Sequence, residues 1–222
     1  MINTKLLNIL ILFFILSSLI FKFYPQVDIV ISSLFYNDGF YLKGSFYEQF
    51  FYYSIRPIIA SVVIGSLGVF FYNYFSKKNI FLLGKRKLLY IILVISLTPG
   101  IIVEYGFKQN FERPRPKEIE LFGGKKEFYP AYTFAKQNSK SFISGHSAAA
   151  FSLVGIALLF YKRKRLFILL SLGYGLGMII ARIMAGGHFF SDVLLSALLV
   201  LIANILLYKA ICNQDILSKK RT

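Results

Sequence analysis

The chain has 222 residues, of which 56% are hydrophobic and 18% aromatic. Only 16% are charged, against about 25% in an average soluble chain, which excludes a purely water-soluble globule. Six prolines, 16 glycines and the single cysteine Cys212 exclude a disordered chain, a collagen-like chain and a disulfide scaffold. The formal net charge of +16 is compatible with a nucleic acid, an anionic lipid or a phosphorylated substrate, so the positions of the charges must decide.

Six apolar segments follow one another along the chain and predict membrane helices. They cover residues 6–21, 57–76, 88–103, 142–161, 166–181 and 193–208. A spanning helix needs about 20 apolar residues, and the shorter segments reach that length when flanking residues with snorkelling side chains are included. The first segment is more typical of a retained helix than of a signal peptide, because no small cleavage-site residues follow it. We predict an all-α membrane bundle of six transmembrane helices, forming one domain over residues 1–222.

Short, strongly basic connections distinguish the two sides of the predicted bundle. They lie at residues 77–87 and 162–165, and Lys5 and the C-terminal tail, with Lys209, Lys219, Lys220 and Arg221, fall on the same side. The positive-inside rule makes this side cytoplasmic, together with both termini. The opposite side carries nine of the ten acidic residues and a long loop of mixed charge over residues 108–143. A loop of that length is usually functional or disordered, and its composition favours function.

The two histidines of the chain, His146 and His188, both stand near the start of an apolar segment on the predicted outer side. Asp192 follows His188 by four residues, so a helix can present both on one face, with the carboxylate orienting the ring as a nucleophile. The alternative is a polar pair that caps the sixth helix. His146 follows Ser144 and Gly145, where the free N–H groups of a helix N-terminus can bind a phosphate. The alternative there is an ordinary cap.

Three basic residues complete the set of candidates. Lys108 and Arg115 stand seven residues apart just beyond the third segment, and Arg182 directly follows the fifth. Prolines on both sides of Arg115 stiffen the backbone, which suits an arginine held for bidentate contact with phosphoryl oxygens. The alternative is that these basic side chains only snorkel to the membrane surface, which explains the position of Arg182 well and the Arg-Pro-Arg-Pro run poorly. Glu104, four residues before Lys108, can pair with its ammonium group and support it.

These three blocks together resemble the type-2 phosphatidic acid phosphatase superfamily of integral membrane lipid phosphatases, over residues 108–192. The first motif of that family, Lys then six residues then Arg-Pro, is matched by Lys108 and Arg115-Pro116. The second, Pro-Ser-Gly-His, appears as Ile143-Ser144-Gly145-His146. The third, Ser-Arg, five residues, His, three residues and Asp, appears as Ala181-Arg182, His188 and Asp192. Isoleucine thus replaces a proline turn restraint, and alanine replaces a hydroxyl donor.

The resemblance implies a role for each matched residue. By it, His188 is the nucleophile that becomes a phosphohistidine, Asp192 orients it, and His146 protonates the leaving oxygen. The phosphoryl oxygens would be held by Lys108, Arg115, Arg182, Ser144 and the Gly145 backbone. The resemblance also implies that neither a metal nor another cofactor is used. Elementary chemistry agrees, since phosphoryl transfer depends on positioning and charge stabilisation, which cations and a helix N-terminus can supply.

Within the superfamily, the segments EYGFKQNFERPRP, LFYNDGF and GGHFFSD are most similar to bacterial enzymes that dephosphorylate lipid A at the outer face of the inner membrane. This implies a lipid phosphate monoesterase with its site facing the periplasm. We expect a phosphorylated lipid and membrane lipids as partners, with no nucleic acid and no obligate protein partner. Undecaprenyl pyrophosphate phosphatases and phosphatidylglycerophosphate phosphatases share the core motifs and remain alternatives.

Two alternatives lie outside the enzyme class. A lipid transporter or flippase would also have six spans, but it would need polar residues near the membrane midplane, whereas here they gather at helix ends. A basic membrane scaffold would explain the charge but not the histidines beside Asp192 and Arg182. The loop also offers basic and aromatic side chains to a large anionic glycolipid: Lys117, Lys125, Lys126, Lys136, Lys140, Tyr129, Tyr132 and Phe134. Contact of these lysines with anionic headgroups of the membrane is the alternative.

Overall fold

A computed structural model describes residues 4–78 and 80–212, and the extended regular secondary structure within these ranges is helical. The α-helices are α1 (Thr4–Phe23), α2 (Gln26–Ser33), α3 (Phe46–Ser76), α4 (Lys85–Ser96), the single turn α5 (Gln109–Phe111), α6 (Gly145–Ala157), α7 (Lys164–Met184) and α8 (Phe190–Ile211). A π-helix (Leu97–Lys108) joins α4 to α5. Short 3₁₀ turns occur at Ile80–Leu82, Pro116–Glu118 and Glu120–Phe122. The predicted all-α class is confirmed.

Five helical segments are long and apolar enough to cross a membrane, as judged by length and composition: Thr4–Phe23, Phe46–Ser76, Lys85–Glu118, Lys164–Met184 and Phe190–Ile211. The remaining predicted span, residues 142–161, contains α6, which has 13 residues. At 1.5 Å per residue α6 is roughly 20 Å long, less than the roughly 30 Å of a hydrocarbon core. Five of the six predicted spans therefore correspond to candidate membrane helices.

The short helix α6 lies inside the bundle, where it packs against α3, α4, α7 and α8. Most of its residues are buried. Small residues allow the close approach, because an added Cβ at Gly155 would lie 2.7 Å from Cγ of Asn204 on α8. In a lipid environment such close packing and interhelical hydrogen bonds hold helices together. The helices around α6 therefore cover most of its surface.

Helix α3 begins well before residue 57, the start of the predicted apolar segment. Ser45 caps its N-terminus by accepting a hydrogen bond from the Glu48 N–H at 3.3 Å, and the Glu48 carboxylate accepts one from the Gly44 N–H at 3.2 Å. These two hydrogen bonds fix the start of the helix. The apolar pattern did not reveal these turns because they carry polar and aromatic residues. The extension brings Glu48 and Tyr52 to the end of the bundle that carries the three sequence motifs.

Connections 24–45, 109–144 and 185–189 lie at one end of the bundle, and the basic connections 77–84 and 158–163 lie at the other. Residues 112–144 cover the start of α8 and are tied down by backbone hydrogen bonds. Ser141 donates to the Arg113 carbonyl at 3.0 Å, and Lys117 donates to the Gly186 carbonyl at 3.1 Å. A small apolar cluster of Phe40, Ile119, Phe122 and Phe189 joins this segment to the connections 24–45 and 185–189. The tail residues Lys219, Lys220 and Arg221 lie outside the described residues.

Candidate active site

His188 lies in the short connection between α7 and α8 and is 2% exposed. Its Nδ1 is 3.6 Å from Oδ2 of Asp192 and 3.5 Å from Oγ of Ser141. Burial lowers the pKa of His188 to about 4, against the raising effect of Asp192, so the ring is neutral at pH 7. A proton on Nδ1, facing these oxygens, leaves a lone pair on Nε2. The arrangement gives a buried imidazole that is ready to act as a nucleophile.

The two carboxylate oxygens of Asp192 contact different partners. Oδ2 faces His188 and accepts hydrogen bonds from the Ser141 hydroxyl and, at 3.0 Å, from the Phe189 N–H. Oδ1 accepts one from Nη1 of Arg113 at 2.6 Å. The Asp192 side chain is fully buried, so every hydrogen bond it makes is to the protein interior. Both oxygens are held, and with them the orientation of the His188 ring.

The start of α6 lies against the start of α8. The N–H of Ser144 donates to the Asp192 carbonyl at 3.1 Å, and the hydroxyls of Ser147 and Ser196 donate across the two helices, to the Val193 and Ser144 carbonyls. Ser144 caps α6 by accepting from the Ser147 N–H at 3.3 Å. The N–H groups of Gly145 and His146, in the first turn, have no intrahelical acceptor and are available to an anion.

Lys108 reaches the N-terminus of α6 from the end of the π-helix. Its Nζ is 3.0 Å from Oε2 of Glu104, so the pairing expected from their spacing is present. A Cβ added at Gly145 would lie 3.0 Å from the same Nζ. The ammonium group therefore lies close to the backbone at the start of α6.

Tyr52 of α3 lies between two of the candidate residues. The His146 ring stacks on it, with centroids 4.7 Å apart and an interplanar angle of 16°. On the same ring, the Arg182 guanidinium carbon lies 4.9 Å from the centroid. Nη1 of Arg182 is also 3.7 Å from Oε1 of Glu48, while its buried Nε has no hydrogen-bond partner in the described structure. The N-terminal turns of α3 thus orient both His146 and Arg182.

Arg115 is half-buried and close enough for its charge to act on Arg182 and His188. The charges of Lys108, Arg182 and His188 also act on His146. The structure therefore brings together the predicted residues of all three motifs at one end of the bundle. Several like charges held close together in a partly buried site favour a polyanion such as a phosphate group.

A cavity of about 450 Å³ opens between α3, the π-helix and α6, and of the predicted site residues Lys108, Gly145 and His146 line it. Its polar edge is formed by Arg56, Glu104, Lys108, Gly145 and His146, and its apolar wall by Ile55, Ile59, Ala60, Pro99 and Ala149. A molecule with a charged head and a hydrocarbon body matches this division.

Five residues that sequence reasoning did not place take part in this site. They are Asp28, Glu48, Tyr52, Arg113 and Ser141. Asp28 and Arg113 form a fully buried ion pair at 2.8 Å that continues to Asp192. The sequence offered one signal for Asp28, which is the single acidic residue in an otherwise apolar run after Pro25. At the two positions that depart from the resembled motifs, Ile143 and Ala181 are buried in the core.

Comparison with known proteins gives the family. Residues 87–214 match the PAP2 superfamily. The lipid A 4'-phosphatase of Francisella tularensis subsp. novicida is 31% identical over 204 residues, covering 85% of this chain and 87% of that protein. No solved structure was found to match. With a family match over more than half its length and apolar membrane helices around the site, the chain belongs to the PAP2 superfamily and is a membrane lipid phosphatase, a hydrolase of phosphoric monoesters.

Proposed function

We propose that this protein removes a phosphate monoester from lipid A at the periplasmic face of the bacterial inner membrane, through a phosphohistidine intermediate on His188. The observation that carries the choice of lipid is the 31% identity to a lipid A 4'-phosphatase over most of both chains. The name of that relative favours the 4'-phosphate as the group removed. The buried pairing of His188 with Asp192 supports the mechanism.

In the first step the phosphate dianion binds among Lys108, Arg115 and Arg182, with its oxygens accepting from the Gly145 and His146 N–H groups and from the Ser144 hydroxyl. Bidentate arginine contacts and a helix N-terminus both favour such an anion. The cations around His146 oppose a further positive charge there, and the bound dianion offsets them. The phosphate thereby prepares His146 to carry the proton that it donates.

In the second step the Nε2 lone pair of His188 forms a bond to phosphorus as the bond between phosphorus and the lipid oxygen breaks. His146 gives its proton to that leaving oxygen, which becomes the lipid hydroxyl. Asp192 stabilises the positive charge on the phosphorylated ring.

In the third step His146 takes a proton from water, the water oxygen bonds to phosphorus, and the bond from phosphorus to Nε2 breaks. The products are the lipid alcohol and inorganic phosphate, and the cations supply the charge stabilisation without a metal.

The cavity beside His146 supports a substrate that stays in the bilayer. Its polar edge carries Lys108 and His146, while its walls on α3 and α6 are apolar. A lipid can thus present its headgroup phosphate to the site while its hydrocarbon part remains against the helices.

The loop over residues 112–144 gives further support for a large anionic headgroup. Lys117, Lys125, Lys136 and Lys140 are exposed, and Phe134 is 63% exposed. Tyr132 is less available than its sequence position suggests, because its hydroxyl is 2.7 Å from Ser18 of α1 and its ring packs on Phe142. Lys126 is half-buried, with its Nζ 3.4 Å from Oε2 of Glu118. The surface that can contact a sugar and the basic surface are therefore both smaller than expected, and four exposed lysines remain.

The topology we propose has six crossings, with α6 as the short fourth one and both termini in the cytoplasm. The basic connections lie at the end of the bundle opposite the site. Under the positive-inside rule, this separation supports a periplasmic site.

Phosphate release by the purified protein from lipid A, undecaprenyl pyrophosphate and phosphatidylglycerophosphate, measured side by side, tests the proposal. We expect lipid A to have the highest kcat/KM, with mass spectrometry of the product showing loss of one phosphate and its position. Activity should survive EDTA, and vanadate, which mimics a five-coordinate phosphoryl group, should inhibit. A clear preference for undecaprenyl pyrophosphate would overturn the choice of lipid and leave the catalytic residues in place. Loss of activity in EDTA that Mg²⁺ restores would contradict the metal-free mechanism.

A further inference from the structure

Arg113 lies between two carboxylates and away from water. Its Nη1 is 2.6 Å from Oδ1 of Asp192 and its Nη2 is 2.8 Å from Oδ2 of Asp28, and all three side chains have no exposed area. Two further hydrogen bonds hold the guanidinium, because Nη1 also donates to the Ser191 hydroxyl at 2.8 Å and Nε donates to the Tyr129 carbonyl at 2.8 Å. Arg113 is therefore committed to the protein interior and does not belong to the cations that meet the phosphate.

The presence of Arg113 raises an electrostatic problem for the reaction. His188 gains a positive charge when its Nε2 bonds to phosphorus, and Asp192 is the anion placed to stabilise that charge. An arginine paired with Asp192 alone would cancel the carboxylate's charge at the distances seen here. Asp28 supplies a second negative charge, so the group of Asp28, Arg113 and Asp192 keeps a net charge of about −1.

The contacts of Asp28 indicate that it is ionised. Oδ1 accepts from the Ser191 N–H at 2.8 Å, and Oδ2 accepts from the Ser191 hydroxyl at 2.6 Å and from Arg113. The Ser191 N–H and Arg113 can only donate, and each carboxylate oxygen accepts from one of them, so the Ser191 hydroxyl is the one partner here that could receive a proton from Asp28. Burial raises the pKa of Asp28, and Arg113 acts against that effect. Arg113 keeps its positive charge and forms an ion pair with Oδ2 at 2.8 Å, so the ionised carboxylate is the form that this contact fits.

We propose that Asp28 is a positioning residue for the reaction, whose negative charge offsets Arg113 and thereby leaves Asp192 able to stabilise the positive charge that develops on His188. This inference rests on the proposed phosphohistidine mechanism. A buried group with a net negative charge is costly in the resting enzyme, and the cost falls when the ring beside it becomes cationic. An interaction that strengthens on the way to the transition state raises kcat rather than substrate affinity.

Asp28→Asn tests the proposal, because asparagine keeps the shape and reproduces the neutral form of the residue. We expect kcat to fall about 10- to 100-fold, in the range seen when a residue supporting a catalytic ligand is lost, with little change in KM. Vanadate affinity should fall in parallel, while the affinity for inorganic phosphate stays within about twofold. These affinities are properties of each folded molecule, so a smaller yield of folded protein does not alter them. Asp38→Asn, at an exposed position of the same connection, is the matched control and should change neither.

Two further variants keep the test decisive if the asparagine variant folds poorly. Asp28→Glu retains the charge and should retain the preference for vanadate over phosphate better than the Asn variant. The double variant Asp28→Asn with Arg113→Met removes one charge of each sign, so its vanadate affinity should exceed that of Asp28→Asn alone.

Equal losses of vanadate and phosphate affinity in Asp28→Asn, or no loss of either, would overturn the role of Asp28. His188→Ala separates this result from the mechanism itself. If His188→Ala abolishes turnover while Asp28→Asn behaves as the wild type, the proposal for Asp28 fails alone. If His188→Ala remains active, the phosphohistidine mechanism fails and the role of Asp28 with it.

Discussion

At the scale of single residues, the site depends on Asp192 keeping its charge and its orientation. One oxygen faces the His188 ring, and the other is bound by Arg113. Ser141 donates to the oxygen that faces His188, so it supports the same geometry without contributing a charge. Substitutions of Asp192 and Ser141 can therefore separate charge from hydrogen bonding.

His188→Ala should abolish turnover because it removes the proposed nucleophile. Asp192→Asn should lower kcat by about 100-fold or more, since the amide no longer stabilises the cationic ring and can hold the wrong tautomer. Ser141→Ala should cost less, because the charge of Asp192 remains. Steady-state kinetics and the melting temperature in detergent would be measured for all three. A Ser141→Ala protein more impaired than Asp192→Asn would contradict the importance of the charge.

The acidic limb of the pH profile should lie well below the ordinary pKa of histidine. The pKa of His188 is lowered from 6.5 to about 4 by burial, and the proposed mechanism uses its neutral form as the nucleophile. As the pH falls through 6.5 the ring stays neutral, so kcat/KM should persist until the pH approaches 4. The profile would be corrected for the substrate's own phosphate ionisation, with a pKa of about 6, determined by ³¹P NMR. A corrected limb centred near 6.5 would show that His188 is not buried as described.

At the scale of helices, the site forms where several helix ends meet. The first turn of α6 provides N–H groups, the π-helix delivers Lys108, and the long α3 places Tyr52 between His146 and Arg182. Pro99 lies early in the π-helix, where its missing N–H cannot contribute to a regular α-helical ladder. The wider turns that follow carry Glu104 and Lys108 to the cavity.

Gly145→Ala should impair substrate binding without weakening the fold. The new Cβ would lie 3.0 Å from Nζ of Lys108, so the lysine must move and the phosphate cannot approach the backbone as closely. We expect KM to rise about tenfold, a loss of about 1.4 kcal/mol of binding. Alanine is also the better helix former, so the melting temperature should not fall. Gly173→Ala on α7 is the matched control, because a Cβ there meets no atom within 4 Å and activity should be unchanged. Equal KM values for the two variants would argue against a phosphate site at Gly145.

At the scale of the whole molecule, the two ends of the bundle differ in charge, because the short basic connections lie at one end and the mixed-charge loop lies at the other. The short connections 77–84 and 158–163 form one end, and the site with its covering loop forms the other. The central α6 is enclosed by longer helices, so the start of this helix is held at a fixed depth relative to them. In the proposed topology, the basic connections set the orientation of the protein in the membrane. The start of α6 sets the depth at which a lipid phosphate must be presented.

A cysteine at position 125 should react with a membrane-impermeant maleimide once the outer membrane is permeabilised. Lys125 is exposed on the loop over the site, and Cys212 would first be replaced by serine to give a single-cysteine protein. Lys162→Cys, at an exposed position in the opposite basic connection, should react after the inner membrane is lysed. The reverse labelling pattern would refute the periplasmic orientation of the site.

The sequence by itself determined the helical class, the apolar segments and the order of the motifs. Apolar runs of membrane length have few stable folds other than helices, and each motif is a local pattern at the end of such a run. The family comparison bears out the resemblance that these motifs carried. The same local reasoning placed the start of α3 too late, because capping and aromatic turns do not form an apolar run.

Only the tertiary structure decided which distant residues complete the site. Asp28 and Ser191 are hydrogen-bonded although 163 residues separate them, and Arg113 reaches Asp192 across 79 residues. Nothing in the local sequence specifies such pairs, since a buried charge is stable only where its partner arrives from another helix. Tyr52 likewise meets His146 because α3 packs beside α6. The motifs thus determine the chemical groups of the site, and the packing of helices that are far apart in the chain determines the charges and contacts around them.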